Sequence, residues 1–363
     1  MKHRTFLKTL AATATSWLTS RHGLFSQETP KLVQPPFAPV VPQTPFDAPA
    51  GTWTLAVLPD TQYYSQNFPD VFVRQTEWIA AHKTSHQILF VAHEGDITNH
   101  NTPEQWTRAQ KAMRVLNTAA VPYALVPGNH DLGDNGKAND RSTLMNDYFS
   151  PADYQHSPGH ILFEPGKMEN SAHPFQTPTG KQLLLALEFG PRDEVINWAN
   201  TIATQHADHQ ITIVTHAHLY SDNLRNDWTI DGVEGNKKRG NPKVYGLNTN
   251  STVNDGEQVW QKLASKHANI RFILNGHITS DLGTGLLTST ATTGQTVHQI
   301  LANYQDNSPN KGGTVMPAKG HGGGGFMRLM QFHPDGKTVQ MKTYSPWYDQ
   351  WLTEPNQQFS CLL

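Results

Sequence analysis

Five short apolar runs in this 363-residue chain each break off into side chains that bind metal ions or move protons. Residues 52–58 end at Pro59-Asp60-Thr61-Gln62, and residues 87–92 end at His93-Glu94-Gly95-Asp96. Residues 122–126 end at Pro127-Gly128-Asn129-His130-Asp131. Residues 211–214 end at Thr215-His216-Ala217-His218, and residues 270–274 end at Asn275-Gly276-His277. Val-, Ile- and Leu-rich runs of about four to eight residues suit buried strands. Between them, residues 69–83, 103–119, 193–206 and 257–267 carry helical spacing. The first two open on Pro69 and Pro103, each followed by an acidic residue, as a first helical turn prefers. Alternating strands and helices predict an α/β fold with a mainly parallel sheet. Ligands of such sheets bind beyond the carboxyl ends of the strands. All five polar endings are therefore expected on one rim.

Taken singly, these residues have ordinary explanations, since Asp and Gly-Asn are common turn formers. Five such endings in order are poorly explained as five separate turns. Oxygen donors mixed with imidazoles suit Mn, Fe, Zn, Mg or a mixed pair of ions. The single cysteine, Cys361, excludes an internal disulfide and a multi-thiolate zinc site. A formal charge of −2 leaves no electrostatic footprint for nucleic acid. No Gly-x-Ser-x-Gly elbow and no His-Glu-x-x-His motif occurs; His93-Glu94 runs on into Gly95-Asp96.

The order Asp60-Thr61-Gln62, Gly95-Asp96, Gly128-Asn129-His130-Asp131, His216 and Gly276-His277-Ile278-Thr279 resembles the calcineurin-like metallophosphoesterases. Gly-Asn-His-Asp directly after an apolar strand is its most specific element. The resemblance implies a four-layer αββα sandwich, two mixed β-sheets flanked by helices. It implies two divalent ions, drawn from Mn, Mg, Ca, Fe and Zn. Asp96 would bridge them, with Asn129, His216 and His277 completing the second site and Asp60 and Gln62 belonging to the first. His130 would sit beside the scissile phosphate and protonate the leaving group. Asp131 would buttress the His130 imidazole from behind. Family members carry His at the positions of Gln62 and Thr279, so the first site is expected to bind more weakly and to favour a hard ion. Asp281 and His218 are the nearest substitute ligands in sequence. Asn99 stands where purple acid phosphatases carry a tyrosine, which argues against iron–tyrosinate chemistry.

Residues 1–29 read as an export signal and cleavage region, with Lys2, Arg4 and Lys8 before a short apolar middle and no acidic residue before Glu28. The run Arg4-Thr5-Phe6-Leu7-Lys8 resembles a twin-arginine signal with His3 in place of the first arginine. A periplasmic or extracellular location is expected, and the apolar middle is too short to span a membrane. Seven prolines among the twenty residues 30–49 read as a linker or a surface strap, with the linker placed at 30–50. The catalytic domain is expected over 51–352 and a tail over 353–363. Residues 326–332 and 337–344 are expected as edge strands of the second sheet. Arg141, His173, Lys237-Lys238-Arg239 and the His321 glycine run are weaker candidates for phosphate contact.

The expected function is hydrolysis of a phosphomonoester or phosphodiester, on a small-molecule or lipid substrate, by a metal-activated water. The alternative is a degenerate member that binds a phosphorylated or glycan ligand without turnover, motivated by the altered first site. Retention of His130 weighs against it.

Overall fold

The computed structural model describes residues 49–232, 240–249, 251–280, 283–305 and 321–363. The export signal, most of the linker, Lys237-Lys238-Arg239 and Asp281 lie outside the described residues. The strands are β1 (Trp53–Leu58), β2 (Ile88–His93), β3 (Tyr123–Ala124), β4 (Ile161–Leu162), β5 (Ser171–Thr177), β6 (Gly180–Leu187) and β7 (Gln210–Thr215). They continue as β8 (Ile270–Asn275), β9 (Thr284–Thr290), β10 (Thr296–Ala302), β11 (Met327–Phe332), β12 (Thr338–Ser345), β13 (Gln350–Leu352) and β14 (Phe359–Leu362). The helices are α1 (Gln62–Asn67), α2 (Pro69–His82), α3 (Pro103–Thr118), α4 (Met145–Tyr148), α5 (Asp193–Gln205), α6 (Trp228–Asp231) and α7 (Gly256–Lys262). No helix among the described residues is long and apolar enough to cross a membrane.

The strands form two seven-stranded mixed sheets. The first runs β13-β12-β11-β1-β2-β3, with β14 also on β12; the second runs β4-β5-β6-β7-β8-β10-β9. Every β1 residue is buried, because the two faces of the strand feed different cores. Leu55 and Val57 pack between the sheets with Phe90, Leu184, Phe272 and Met330. Ala56 and Leu58 face α2 and α3, against Phe72, Ile79, Trp106 and Met113. On the far side, Leu183, Leu185, Ile211 and Ile213 pack on Val195, Ile202 and Val259 of α5 and α7. The result is the expected αββα sandwich.

Three expectations are corrected. The five polar-ended strands are split between sheets: β1, β2 and β3 lie in the first, β7 and β8 in the second. Both groups run parallel within their sheets. The hairpin β11–β12 belongs to the first sheet, where β11 lies between β12 and β1. Its Arg328 and Gln331 are both buried. Arg328 shares the inter-sheet face with Met330 and Phe332 and donates to Thr284 Oγ1 and the Tyr304 hydroxyl, each at 2.9 Å. The expected tail contains β14, which pairs with β12 and buries Cys361.

Candidate metal centre

The loops leaving β2, β3, β7 and β8 bring Asp96, Asn129, His216 and His277 to one point. His216 Nε2 lies 3.2 Å from Asp96 Oδ1, 3.2 Å from Asn129 Oδ1 and 3.2 Å from His277 Nδ1. The Glu94 carbonyl lies 2.8 Å from His216 Nδ1, so that nitrogen carries the proton and Nε2 presents a lone pair. With His216 neutral, its Nε2 lone pair faces the Asp96 and Asn129 oxygens, an arrangement that a cation, or a proton on Nε2, relieves. Around an ion with bonds of about 2.1 Å, neighbouring ligands sit about 3.0–3.4 Å apart, so the observed spacing fits a coordination shell. Asp96, His216 and His277 form a group of ligand atoms all within 4.8 Å of one another. Burial opposes a charge on His216, but the charges of Asp96 and Asp60 outweigh it and raise its pKa to about 9. Burial would also raise Asp96, yet His216 and His130 hold its carboxyl well below the usual range. His277 is lowered to about 3, by burial first and then by His216, which leaves its ring neutral.

Two residues of this group stand in the left-handed backbone region, Asp96 at φ 48° and His277 at φ 73°. Such non-glycine outliers concentrate at functional sites. Gly128 is required by close approach, since a Cβ there would lie 2.2 Å from both Asp96 N and Asp96 Oδ1.

Asp60 stands beside this group. Its carboxylate accepts the His277 N–H at 3.1 Å, the Asn303 amide at 2.9 Å and the Gln305 amide at 3.3 Å. Burial pushes its pKa up to about 8, with His216 lowering it and Asp96 raising it further. Gln62, at the start of α1, is buried, and its Oε1 has no hydrogen-bond partner among the described residues. An orphaned buried carbonyl oxygen fits a ligand role for it. Thr279, in the place of the family's second histidine, is exposed.

His130 donates its backbone N–H to Asp96 Oδ1 at 2.9 Å, and its Nδ1 faces the Asn99 carbonyl at 2.9 Å. Gln105 of α3 fixes that carbonyl's loop by accepting the N–H groups of Asn99 and His100 at 2.7 and 2.9 Å. The buttress of the imidazole is therefore the Asn99 carbonyl, and the expectation for Asp131 is corrected. Asp131 accepts from the backbone N–H of Ile97 (2.9 Å), Thr98 (2.7 Å) and Gly128 (2.9 Å) and from Thr98 Oγ1 (2.8 Å). Through these bonds it staples the loop after β2 to the loop after β3.

His218 is not a substitute ligand; it is buried and meets Gln299 Oε1 at 2.8 Å. Arg141 is spent on the Phe189 and Gly190 carbonyls and on Glu188. His173 is buried between Ser157 and Ser171. Sequence reasoning missed Asn303 and Gln305, which follow β10. That strand runs parallel to β8, so it is a sixth strand ending at the same rim. It also missed the aromatic wall, in which Phe189 and Tyr245 flank the His277 ring at centroid distances of 5.4 and 6.0 Å.

Fold and centre together define a metallophosphoesterase architecture. A family model described as calcineurin-like phosphoesterase matches residues 54–281. The chain belongs to the calcineurin-like metallophosphoesterase family. It is 27% identical over 312 residues to an uncharacterized protein, YvnB, of Bacillus subtilis (strain 168), covering 81% of this chain and 20% of that one. The chain thus spans about a fifth of that relative's length. Among solved structures, it is similar to a dimetal phosphatase from Danio rerio, with 14% identity, TM-score 0.46, 83% of this chain and 98% of that one. It is also similar to the purple acid phosphatase PPD1 of yellow lupin, with 12% identity, TM-score 0.47, 85% of this chain and 53% of that one.

Proposed function

We propose that the chain is a metal-dependent phosphoric ester hydrolase acting on a phosphomonoester or phosphodiester. The observation that carries the reading is the convergence of Asp96 Oδ1, Asn129 Oδ1 and His277 Nδ1 on His216 Nε2, each at 3.2 Å, the spacing of a coordination shell. Asp96, Asn129, His216 and His277 would hold one divalent ion, and Asp60, Gln62 and Asp96 a second. Bound ions supply neutralisation of phosphoryl oxygens and a lowered pKa for an attacking water. The chain's own part is proton delivery and positioning. With Nδ1 tied to the Asn99 carbonyl, the His130 ring exchanges its proton at Nε2 and can protonate the departing alkoxide. Asp131 and Gln105 hold the two loops that carry His130 and its partner.

The test is His130→Ala. Turnover of an alkyl phosphate, with its poor leaving group, falls by about 10²–10⁴-fold, whereas metal content is unchanged. Loss of metal instead would make His130 a ligand and sink the assignment. Absence of turnover by the wild-type protein with Mn²⁺, Mg²⁺, Ca²⁺ or Zn²⁺ would favour the binding-only alternative. We further infer export, supported by the basic-then-apolar order of residues 1–29. A reporter fused to those residues that stays in the cytoplasm removes that inference.

A further inference from the structure

Asn303 and Gln305 both direct a side-chain amide at Asp60 Oδ2, but they are held differently. Asn303 Nδ2 lies 2.9 Å from Oδ2, and its own Oδ1 accepts the backbone N–H of Gln305 at 3.0 Å. Both ends of that amide are engaged, so its orientation is fixed. Gln305 Nε2 lies 3.3 Å from Oδ2, and its Oε1 is buried without a hydrogen-bond partner among the described residues. Among the described residues, only that 3.3 Å contact to Asp60 holds the Gln305 amide. Rotation by half a turn would set Oε1 where Nε2 now stands, about 3.3 Å from the carboxylate oxygen. Two oxygens at that distance repel, unless a cation lies between them. For six-coordinate hard ions with bonds of about 2.1–2.4 Å, adjacent ligand oxygens sit about 3.0–3.4 Å apart. Gln62 Oε1, two residues past Asp60, is likewise buried without a hydrogen-bond partner among the described residues.

We propose that Gln305 is a metal ligand: its carbonyl oxygen joins Asp60 and Gln62 in an all-oxygen first site selective for a hard divalent cation. The inference rests on the reading of Asp60 as a metal ligand. The site replaces the two imidazoles absent at Gln62 and Thr279 with carboxamides, which favours Mn²⁺, Mg²⁺ or Ca²⁺ over Zn²⁺. With a proton-bearing amide nitrogen turned to Asp60, the carboxylate is satisfied; with the amide turned over, the same side chain serves the ion. The centre is then chemically divided, one half rich in imidazole and the other built from oxygen alone.

The experiment is metal analysis of the full chain with calorimetric titration by Mn²⁺ and by Ca²⁺ alone, after the imidazole-rich half has been filled with one equivalent of Zn²⁺. Wild-type protein is expected to take one further equivalent of Mn²⁺ or Ca²⁺ and to discriminate against a second Zn²⁺. Gln305→Leu should weaken that second binding by at least about 10-fold, the low end for loss of a supporting group at a metal site, and leave the tightly held Zn²⁺ in place. Gln305→Glu, which adds a carboxylate at the same reach, should tighten it. Unchanged Mn²⁺ affinity in either variant, with the first Zn²⁺ retained, overturns the role of Gln305 and spares the functional reading. Failure of wild-type protein to retain even the first Zn²⁺ overturns both.

Discussion

Asp131→Asn separates two accounts of the same residue. If Asp131 backed the His130 imidazole, the change would alter the proton chemistry and leave the fold alone. The structure places its carboxylate against three backbone N–H groups and one hydroxyl instead. An asparagine keeps one oxygen, which can still serve Thr98 N and Thr98 Oγ1. Its NH₂ then faces the N–H groups of Ile97 and Gly128, donor against donor. Each buried donor left unmet costs about 1–3 kcal/mol, so the two together cost about 2–6 kcal/mol. A partial gain offsets this: burial, and after it the charge of Asp96, push the Asp131 carboxyl up to about 6, and a neutral amide removes that repulsion. The lower half of the range, about 2–4 kcal/mol, is therefore expected. With a denaturant slope of about 3 kcal/mol per molar urea, the midpoint falls by about 0.7–1.3 M. Because Ile97, Thr98 and Gly128 adjoin Asp96 and Asn129, metal affinity should fall with stability. A variant with wild-type midpoint and metal content, but a displaced pH–rate profile, would refute the stapling role and restore the buttress.

Gly128→Ala should abolish metal retention, read by metal analysis, because its Cβ would lie 2.2 Å from Asp96 N and Oδ1. Chelation should lower the melting temperature by about 5–10 °C, reversed by Zn²⁺, if the ion is held at about 1,000 times its dissociation constant and so contributes about 4 kcal/mol. His173→Gln should flatten acid destabilisation. Burial, and after it His160, lower the His173 pKa to about 3. The unfolded chain therefore takes up a proton below about pH 6.5 that the folded chain refuses down to about pH 3, and stability falls as pH falls through that window. Removing the ring should reduce the slope between pH 6 and 4 by up to about 1.4 kcal/mol per pH unit, measured by urea melts.

The convergence of five strand ends was legible because each ending is local chemistry: an apolar run stops and a donor begins. The division between two sheets was not legible. Strands buried on both faces, such as β1 and β8, lose the alternation that would say which core each side chain enters. The sixth ending was hidden by His298 and Gln299 in β10, which break the apolar run although both are buried. Asp131 was misread for a different reason. Its spacing from His130 is the family's, but the partners of a carboxylate are set by which main-chain donors the fold leaves nearby, and Ile97 and Thr98 come from another loop.

Asp60 then has a role that precedes any ion. It leaves β1 in the first sheet, yet its partners His277, Asn303 and Gln305 all follow strands of the second sheet, β8 and β10. The carboxylate therefore joins the two sheets at the rim where the ligands meet. Gly276 makes the approach possible, since a Cβ there would lie 2.0 Å from Asp60 Oδ1. The His277 N–H it accepts belongs to a residue at φ 73°, a conformation that costs about 1–2 kcal/mol for a side-chain-bearing residue. Across the rim, Asp96 at φ 48° is braced in the same manner, its carbonyl accepting Thr61 N at 3.0 Å and its Oδ1 accepting His130 N at 2.9 Å. Each of these strained candidate ligands is thus held by the backbone or carboxylate of another candidate ligand's loop. Asp60→Ala should consequently unlatch the sheets at this end and release the His277 backbone, so that ion affinity falls in the imidazole-rich half as well as in the half where Asp60 itself would bind.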